Sequence, residues 1–222
     1  MLNVDTRTIQ RSKTRRDGFI VSNKNVLGAV AAEVIVCTKC DLWKGRVKAV
    51  PGVGSPESQV LLIGEAPGQA EDLRGEPFVG AAGKLLDALL SETGFSRAGV
   101  FITNVVKCRP PRNREPKPHE IEMCAPYLNR QIDIIKPRFI VTLGNHSTAY
   151  IFSKARLPFR SITQARGKVH ETSILGLKVA VFPTFHPAAA LYSAQYKKQL
   201  EEDFHRLRDE LLKRGLVSPS IS

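Results

Sequence analysis

Four carboxylates cluster in the stretch LLIGEAPGQAEDLRGEPFVGAAGKLL, at residues 61–86. They are Glu65, Glu71, Asp72 and Glu76. Carboxylates can orient a water molecule or stabilise a developing positive charge, and an acidic loop is unexpected in a chain of net charge +12. The loop is therefore a candidate reaction centre. Within it, Asp72 and Glu76 are interpreted as helix-capping or solvated charges.

Distinctive polar residues also follow other apolar segments of the chain. The motif TNVVKC contains Asn104, LGN contains Asn145, and FHP contains His186. A carboxamide both donates and accepts hydrogen bonds, and an imidazole N–H can stabilise negative charge as it develops. With GEAPG in the acidic loop, these motifs mark the ends of four apolar segments.

The elements that must position these residues alternate between strands and helices. Four continuous apolar, β-branched runs are typical of strands buried on both faces: 58–64, 99–106, 138–144 and 178–185. Helical patterns lie between them and after the last one. We predict an α/β fold, a three-layer αβα sandwich around a four-stranded parallel sheet. In such a sheet, sites form at the carboxyl ends of the strands.

The chain has four cysteines, and their spacing suggests one site. They are Cys37, Cys40, Cys108 and Cys124. A single C-x-x-C pair with two later thiols is compatible with a tetrahedral four-thiolate site for zinc or an iron–sulfur cluster. The spacing differs from the paired C-x-x-C motifs of a zinc ribbon and so favours the cluster. Nothing in the sequence indicates secretion, which argues against disulfides.

Charge and composition set the domain organisation that we expect. The hydrophobic fraction is 42% and the pI is about 9.8, as in a globular protein that binds a polyanion such as nucleic acid. We predict a basic N-terminal arm at 1–28, one domain at 29–214 and a C-terminal tail at 215–222. The sequence contains no apolar run long enough to span a membrane. We expect a cytoplasmic prokaryotic monomer.

Five ordered motifs resemble those of the family-4 uracil-DNA glycosylases. They are GEAPGQAEDLRGEPFVGAAGKLLD, FITNVVKCRPPRNREPKPHEIEMCAPYL, TLGNHSTAY, FPTFHPAAAL and the four cysteines in order and spacing. The resemblance covers roughly residues 30 to 212. It implies a uracil-DNA glycosylase-like fold with a [4Fe–4S] cluster on the cysteines, zinc being the less favoured alternative. It also implies an enzyme that hydrolyses the glycosidic bond of deoxyuridine in DNA.

The resemblance assigns roles to residues of the predicted site. Phe78 would stack on uracil taken out of the helix, and Asn104 would pair with its O4 and N3–H. The Glu65–Pro67 turn, including Ala66, would contact the uracil edge, and His186 would stabilise charge on O2. In family-1 glycosylases an Asp in the corresponding turn positions water. Ala66 cannot do this, so the carboxylate is either Glu65 or Glu71.

The resemblance and the basic residues predict a DNA contact surface. The residues that we expect in it are Arg109, Arg112, Asn113, Arg114, Arg166, Lys168 and, as an apolar wedge, Leu191. Arginine and lysine contacts to phosphate position a protein on DNA without reading its sequence. Because we find no lysine that could form a Schiff base in the pocket motifs, we expect hydrolysis without a lyase step.

Three other functions are compatible with parts of the sequence. A non-catalytic nucleic-acid-binding protein with a four-cysteine site would explain the charge and the cysteines, and an iron–sulfur redox protein would explain the cysteines alone. Neither requires an Asn, a His and a Phe at one pocket. A glycosylase for another deaminated base would share all of these features.

Overall fold

The computed structural model describes residues 22–217, and in this part of the chain six strands form one mixed sheet. The strands are β1 Val53–Gly54, β2 Val60–Gly64, β3 Phe101–Asn104, β4 Phe139–Leu143, β5 His170–Ile174 and β6 Leu177–Thr184. Their order across the sheet is β1-β3-β2-β4-β6-β5. The pairs β3–β2, β2–β4 and β4–β6 are parallel, whereas β1 and β5 pair antiparallel at the two edges.

The prediction of four parallel strands is right for the centre of the sheet and wrong at its edges. The central runs are apolar because both of their faces are buried. In β5 the sequence HETSI alternates between partly buried and exposed positions, so it lacks the apolar run that marked the others. β5 joins β6 through Leu175 and Gly176, which have φ of 52° and 81°, as a tight two-residue hairpin requires.

Helices cover both faces of the sheet, as predicted for an αβα sandwich. In residues 22–217 they are α1 Asn23–Val36, α2 Gln69–Arg74, α3 Ala81–Glu92, α4 Pro118–Ile135, α5 Asn145–Ala155, α6 Ile162–Ala165, α7 Pro187–Ala190 and α8 Ala194–Lys213. The side chains of β2 alternate between the two layers. Leu61 and Ile63 pack in the core formed with α1, α4 and α5, and Val60 and Leu62 in the core formed with α3 and α8.

The ends of the folded region differ from the predicted boundaries. Helix α1 begins at Asn23 and buries Leu27 in the core, so the last residues of the predicted arm belong to the first helix. At the other end, Leu216 and Val217 pack against the core. The rest of the predicted arm and tail lies outside the described residues. None of the helices in residues 22–217 has the length and hydrophobicity needed to cross a membrane.

Candidate active site

A cavity of about 370 Å³ lies where the parallel strands end, and we call it the strand-end pocket. Since β2, β3 and β6 run in one direction, their carboxyl ends share one edge of the sheet. All six residues predicted to bind uracil line this pocket: Glu65, Ala66, Pro67, Phe78, Asn104 and His186. Asn145 of the LGN motif is not among the lining residues, and its Oδ1 accepts a hydrogen bond from the Ile162 N–H at 3.3 Å.

Asn104 ends β3 with a side chain that is only 1% exposed. Its Oδ1 atom accepts no hydrogen bond from any residue that the structure describes. A Cβ atom on Gly64 would lie 2.3 Å from this oxygen, so the close approach of the two strand ends requires glycine there. An unpaired buried acceptor costs free energy. Such an atom at a pocket wall is suited to receive a donor from a ligand.

Phe78 is held in an unusual backbone conformation beside Asn104. Its φ is 52°, a left-handed value that is strained for a bulky residue. Arg97 donates hydrogen bonds to the carbonyls of Phe78, at 3.0 Å, and Pro77. A Cβ atom on Gly83 would lie 1.8 Å from the Phe78 carbonyl oxygen, so the turn also requires glycine in α3. The Phe78 ring stacks on His186 with its centroid 5.4 Å away.

His186 precedes α7 and caps its first turn. Its Nδ1 accepts a hydrogen bond from the Ala188 N–H at 3.1 Å. In a neutral ring the proton therefore resides on Nε2, which leaves that nitrogen as a donor. Burial lowers the pKa of His186 to about 4, although the Glu71 carboxylate acts in the opposite direction. At neutral pH the side chain is an uncharged N–H donor.

Glu65 is the half-buried carboxylate of the pocket. Its side chain is 28% exposed, and its Oε2 lies 3.9 Å from His146 Nε2. Burial raises the pKa of Glu65, His146 lowers it and Glu115 raises it. The Glu65 carbonyl accepts a hydrogen bond from the Val106 N–H at 3.1 Å. Its backbone is thus tied to the segment that follows Asn104.

Glu71 has a different environment from Glu65. Its carboxylate accepts hydrogen bonds from the backbone N–H groups of Gly68, Val79 and Gly80, at 3.1, 2.9 and 3.0 Å. These bonds join the start of α2 to the turn that contains Phe78. Asp72 is buried and accepts a hydrogen bond from the Val47 N–H at 3.0 Å. Asp72 therefore ties the loop to the segment that contains Val47. Both Glu65 and Glu71 line the strand-end pocket, but the Glu71 carboxylate is occupied by backbone N–H groups.

The predicted DNA contacts after β3 lie on one loop that is anchored to α4. Arg109 Nε donates to Asn113 Oδ1 at 2.7 Å, and Arg114 forms a bidentate ion pair with Glu120 at 2.7 and 2.9 Å. Arg112 and Asn113 both have φ of 55°. Asn113 and Arg114 line the strand-end pocket, while Arg112 is exposed. The Arg114 guanidinium is therefore occupied by the ion pair that holds the loop to α4.

The other predicted DNA contacts are dispersed. The Arg166 side chain is 13% exposed, and its guanidinium pairs with Asp203 at 2.9 Å and lies 4.9 Å from the Phe185 ring. This arrangement holds α8 against the sheet and does not support Arg166 as a phosphate contact. Lys168 borders a separate surface depression. Leu191 is 43% exposed just after α7, and its neighbour Tyr192, which the sequence analysis missed, is 90% exposed.

All four cysteines are free thiols that line a second cavity, which we call the cysteine cavity. Cys37 follows α1 as its C-cap residue, Cys40 lies in the following turn, Cys108 follows β3, and Cys124 lies within α4. The remaining wall is mostly apolar and includes Val34, Leu42, Trp43, Met123 and Tyr127. In residues 22–217 no three His, Cys, Asp or Glu side chains converge closely enough to hold a single metal ion.

The environment of Cys40, Cys108 and Cys124 disfavours deprotonation of these three thiols unless positive charge is supplied. Burial raises the pKa values of Cys40 and Cys108, and that of Cys124 to about 12. Two donors nevertheless point at sulfur atoms. Arg46 Nη1 lies 3.1 Å from Cys108 Sγ, and the Lys107 N–H lies 3.2 Å from Cys124 Sγ. Such donors are typical of the outer shell around thiolate ligands.

Lys107 belongs to one of the pocket motifs but is buried away from the pocket, so it does not contradict the expectation that no lysine there could form a Schiff base. It lies in TNVVKC and is 1% exposed. Its Nζ bonds to the Asn104 carbonyl at 2.7 Å, and burial lowers its pKa to about 7. It does not line the strand-end pocket. Lys107, His146, Arg97 and Arg46 were all missed, because each acts through a partner that is distant in sequence or hidden by burial.

The sequence is similar to those of known uracil-DNA glycosylases. The model of the uracil DNA glycosylase superfamily matches residues 51–208. A type-4 uracil-DNA glycosylase from Saccharolobus solfataricus is 54% identical over 186 residues, which are 83% of this chain and 86% of that protein. One from Sulfurisphaera tokodaii is 56% identical over 184 residues, 82% and 84% of the two chains. One from Archaeoglobus fulgidus is 48% identical over 181 residues, 82% and 91% of the two chains.

The match to the superfamily model spans most of the chain, and the similarity to these relatives covers more than four-fifths of it. The α/β architecture, with its pocket at the strand ends, is the fold that the resemblance implied. The chain belongs to the uracil-DNA glycosylase superfamily and, within it, to the type-4 uracil-DNA glycosylases.

Proposed function

We propose that this protein is a DNA repair glycosylase that takes uracil out of DNA, hydrolyses the bond between uracil N1 and deoxyribose C1′, and leaves an abasic site. The observation that carries the proposal is the convergence of Glu65, Phe78, Asn104 and His186 in one pocket, in a chain of this family. The substrate is uracil-containing DNA, single- or double-stranded, and the enzyme acts as a monomer.

The pocket requires the base to leave the stack, because its reading group lies inside the protein. Phe78 provides a rigid aromatic surface for the base. Asn104 Oδ1, which has no partner in the described structure, accepts the uracil N3–H, and its amide N–H donates to O4. Cytosine presents an acceptor at N3 and a donor at C4, so the same fixed amide opposes it. The backbone of Glu65 and Ala66 borders the base edge.

Departure of the base places negative charge on uracil N1 and O2. His186 is neutral at pH 7 and has Nε2–H as its free donor. A neutral donor directed at O2 stabilises the charge that develops in the transition state and transfers no proton beforehand. The electron pair of the broken C1′–N1 bond leaves with uracil, which then takes up a proton.

The sugar acquires positive charge as the bond breaks, as in glycoside hydrolysis. Glu65 is the carboxylate available to stabilise that charge and to orient the water whose oxygen bonds to C1′. Glu71 contributes indirectly, since its three backbone hydrogen bonds fix the turn that carries Phe78. In this proposal Glu65, rather than Glu71, is the carboxylate that acts on the sugar and the water.

Basic side chains outside the pocket hold the DNA backbone. Arg109, Arg112 and Lys168 are proposed phosphate contacts, and Asn113 contacts the DNA beside the pocket. Leu191 is the proposed wedge that fills the space left by the extruded base. Because such binding releases counterions, the affinity should fall steeply with salt concentration.

The cysteines fit a [4Fe–4S] cluster, with Cys37, Cys40, Cys108 and Cys124 as its ligands. All four thiols line one cavity, and N–H donors already point at two of the sulfur atoms. When bound, the cluster supplies thiolate–iron bonds that cross-link the end of α1 to α4 and to the start of the DNA-facing loop. Hydrolysis is carried out by the residues of the strand-end pocket.

Release of free uracil from a uracil-containing oligonucleotide by anaerobically purified protein tests the proposed activity. An ultraviolet–visible spectrum and iron and zinc analysis of the same sample test the cofactor. We expect uracil release, absorption near ~400 nm as for thiolate-ligated iron, and iron in excess of zinc. Tight DNA binding without release of uracil would refute the proposed activity, and zinc without iron would refute the proposed cofactor.

A further inference from the structure

Lys107 is the largest fully buried polar side chain in the described structure, and the proposed hydrolysis does not use it. Its Nζ lies 2.6 Å from Thr103 Oγ1, 2.7 Å from the Asn104 carbonyl oxygen and 2.8 Å from Gln131 Oε1. The three acceptors match the three N–H bonds of an ammonium group. All three are neutral oxygens, so the amine is satisfied without an ion pair.

These partners are themselves fixed to the protein framework. Gln131 Nε2 donates to the Pro51 carbonyl at 2.7 Å, and Thr103 Oγ1 donates to the same carbonyl at 3.0 Å. Gln131 belongs to α4, whereas Pro51 precedes the edge strand β1. Lys107 therefore joins the end of β3 to α4 and to the segment before β1.

The position of the Lys107 amine is important because the residue that it holds, Asn104, also faces the strand-end pocket. The Asn104 carbonyl is the last of β3, and the same residue presents its unpaired Oδ1 to the strand-end pocket. A shift or rotation of this peptide would move Oδ1 by a similar amount. Discrimination between bases by a buried amide depends on its hydrogen-bond geometry. The Asn104 peptide must therefore be fixed by contacts on the side away from the pocket.

We propose that Lys107 is a positioning residue that holds the Asn104 peptide, and with it the side-chain amide that reads the base. This inference rests on the proposed function. Lys107 also lines the cysteine cavity, and its N–H lies on Cys124 Sγ. The residue that sets the orientation of the base reader is thus built into the wall of the cysteine site.

A double-mutant cycle tests this role. Lys107→Met keeps a side chain of similar length and removes the donors. We expect the single-turnover rate of uracil release to fall at least ~10-fold, while affinity for an oligonucleotide with an abasic-site analogue changes less than ~2-fold. In an Asn104→Ala background, Lys107→Met should change the residual rate by less than ~2-fold, because the amide through which Lys107 acts is absent.

Lys178→Met is a matched control, since it makes the same chemical change at an exposed position near the start of β6. It should leave the rate unaltered in both backgrounds. If Lys107→Met does not fold or loses its iron, Gln131→Met removes one anchor of the same amine and takes its place in the cycle. We expect Gln131→Met to lower the rate of uracil release in the wild-type background and to leave it nearly unchanged in the Asn104→Ala background.

An equal loss of rate in both backgrounds would show that Lys107 is a general structural residue and would overturn the proposal. An unchanged rate in Lys107→Met would overturn it as well, with the proposed function left intact as long as the wild-type enzyme releases uracil. No uracil release by the wild-type enzyme would overturn the proposed function and the role of Lys107 together.

Discussion

The strand-end pocket and the cysteine cavity lie on either side of the segment that follows β3, and they differ in how their polar atoms are satisfied. In the pocket, the protein's own hydrogen bonds fix Phe78, His186 and Glu71. In the cysteine cavity, buried thiols with raised pKa values face a mostly apolar wall. The first site is complete as a scaffold for a transient ligand. In the second site, the proposed iron–sulfur cluster would supply positive charge to these thiols.

Loss of a cysteine should have the largest effect on stability. Cys108→Ala removes one ligand of the proposed cluster and one hydrogen-bond partner of Arg46. We expect loss of the ~400 nm absorption and destabilisation of about 4 kcal/mol or more, as when a metal site is lost. For a domain of this size that corresponds to a fall in Tm of about 8–16 °C. Thermal unfolding followed at 280 nm and 400 nm measures both. A Tm equal to that of the wild type would show that the cavity has no structural cofactor.

Loss of the leaving-group donor should leave the fold intact and slow the chemistry. His186→Ser removes the Nε2–H donor, and removal of such a donor typically lowers the rate about 10²- to 10³-fold. Single-turnover kinetics at saturating enzyme measure the step, and fluorescence anisotropy measures binding to DNA. We expect the dissociation constant to change by only a few-fold. Equal losses in rate and affinity would contradict the role assigned to His186.

Substitution of the two glutamates of the acidic loop should affect different properties. Substitution of Glu65 should lower the rate of uracil release, and substitution of Glu71 should lower the stability. Glu65→Gln is expected to lower the rate of uracil release about 10²-fold without lowering the Tm. Glu71→Ala leaves three backbone N–H groups unpaired and should cost about 1–3 kcal/mol of stability. Comparison of Tm and single-turnover rate for both variants tests the assignment. The reverse pattern would make Glu71 the catalytic carboxylate.

The selectivity for uracil over cytosine should depend on whether the side chain at position 104 donates or accepts a hydrogen bond. Asn104→Asp replaces the amide donor with an oxygen, which accepts from the cytosine amino group instead of donating to uracil O4. We expect the preference for uracil over cytosine to narrow by about 10-fold or more, as for one buried hydrogen bond. Rates on matched uracil- and cytosine-containing oligonucleotides measure this change. Unaltered selectivity would remove Asn104 from the reading role.

The smallest effect that we expect is the dependence of the rate of uracil release on pH. As pH falls, Glu65 should be protonated before His186, because burial raises the pKa of the carboxyl group and lowers that of the imidazole to about 4. Protonation of Glu65 removes the negative charge, so the rate should decline through a midpoint above 4.5, the ordinary value of the group. His146 and Glu115 face this carboxylate and shift its pKa in opposite directions. The same acid limb in a Glu65→Gln enzyme would assign it to another group.

Local patterns in the sequence were sufficient for the central strands, the four thiols and the residues at the strand ends. The strands and the strand-end residues depend on hydrophobic runs and on the residue types that follow them, and the thiol site depends on the spacing of the cysteines. The sequence could not assign Arg166 or Arg114, because each guanidinium is occupied by an acidic partner, Asp203 or Glu120, that only the fold selects. It could not separate Glu65 from Glu71, since backbone N–H donors leave no mark in a sequence. Lys107 was missed because lysine is normally an exposed residue.

The placement of the thiols sets an order of events during synthesis of the protein. Cys37 and Cys40 emerge from the ribosome before any strand of the sheet, whereas Cys124 emerges only when more than half of the chain has been made. Until α4 docks against α1, the first two thiols lack their partners and remain accessible to oxidants. The cluster that we propose needs all four sulfurs, so it would be inserted late, and the ion pair between Glu33 in α1 and Arg130 in α4 would help to close the site around it.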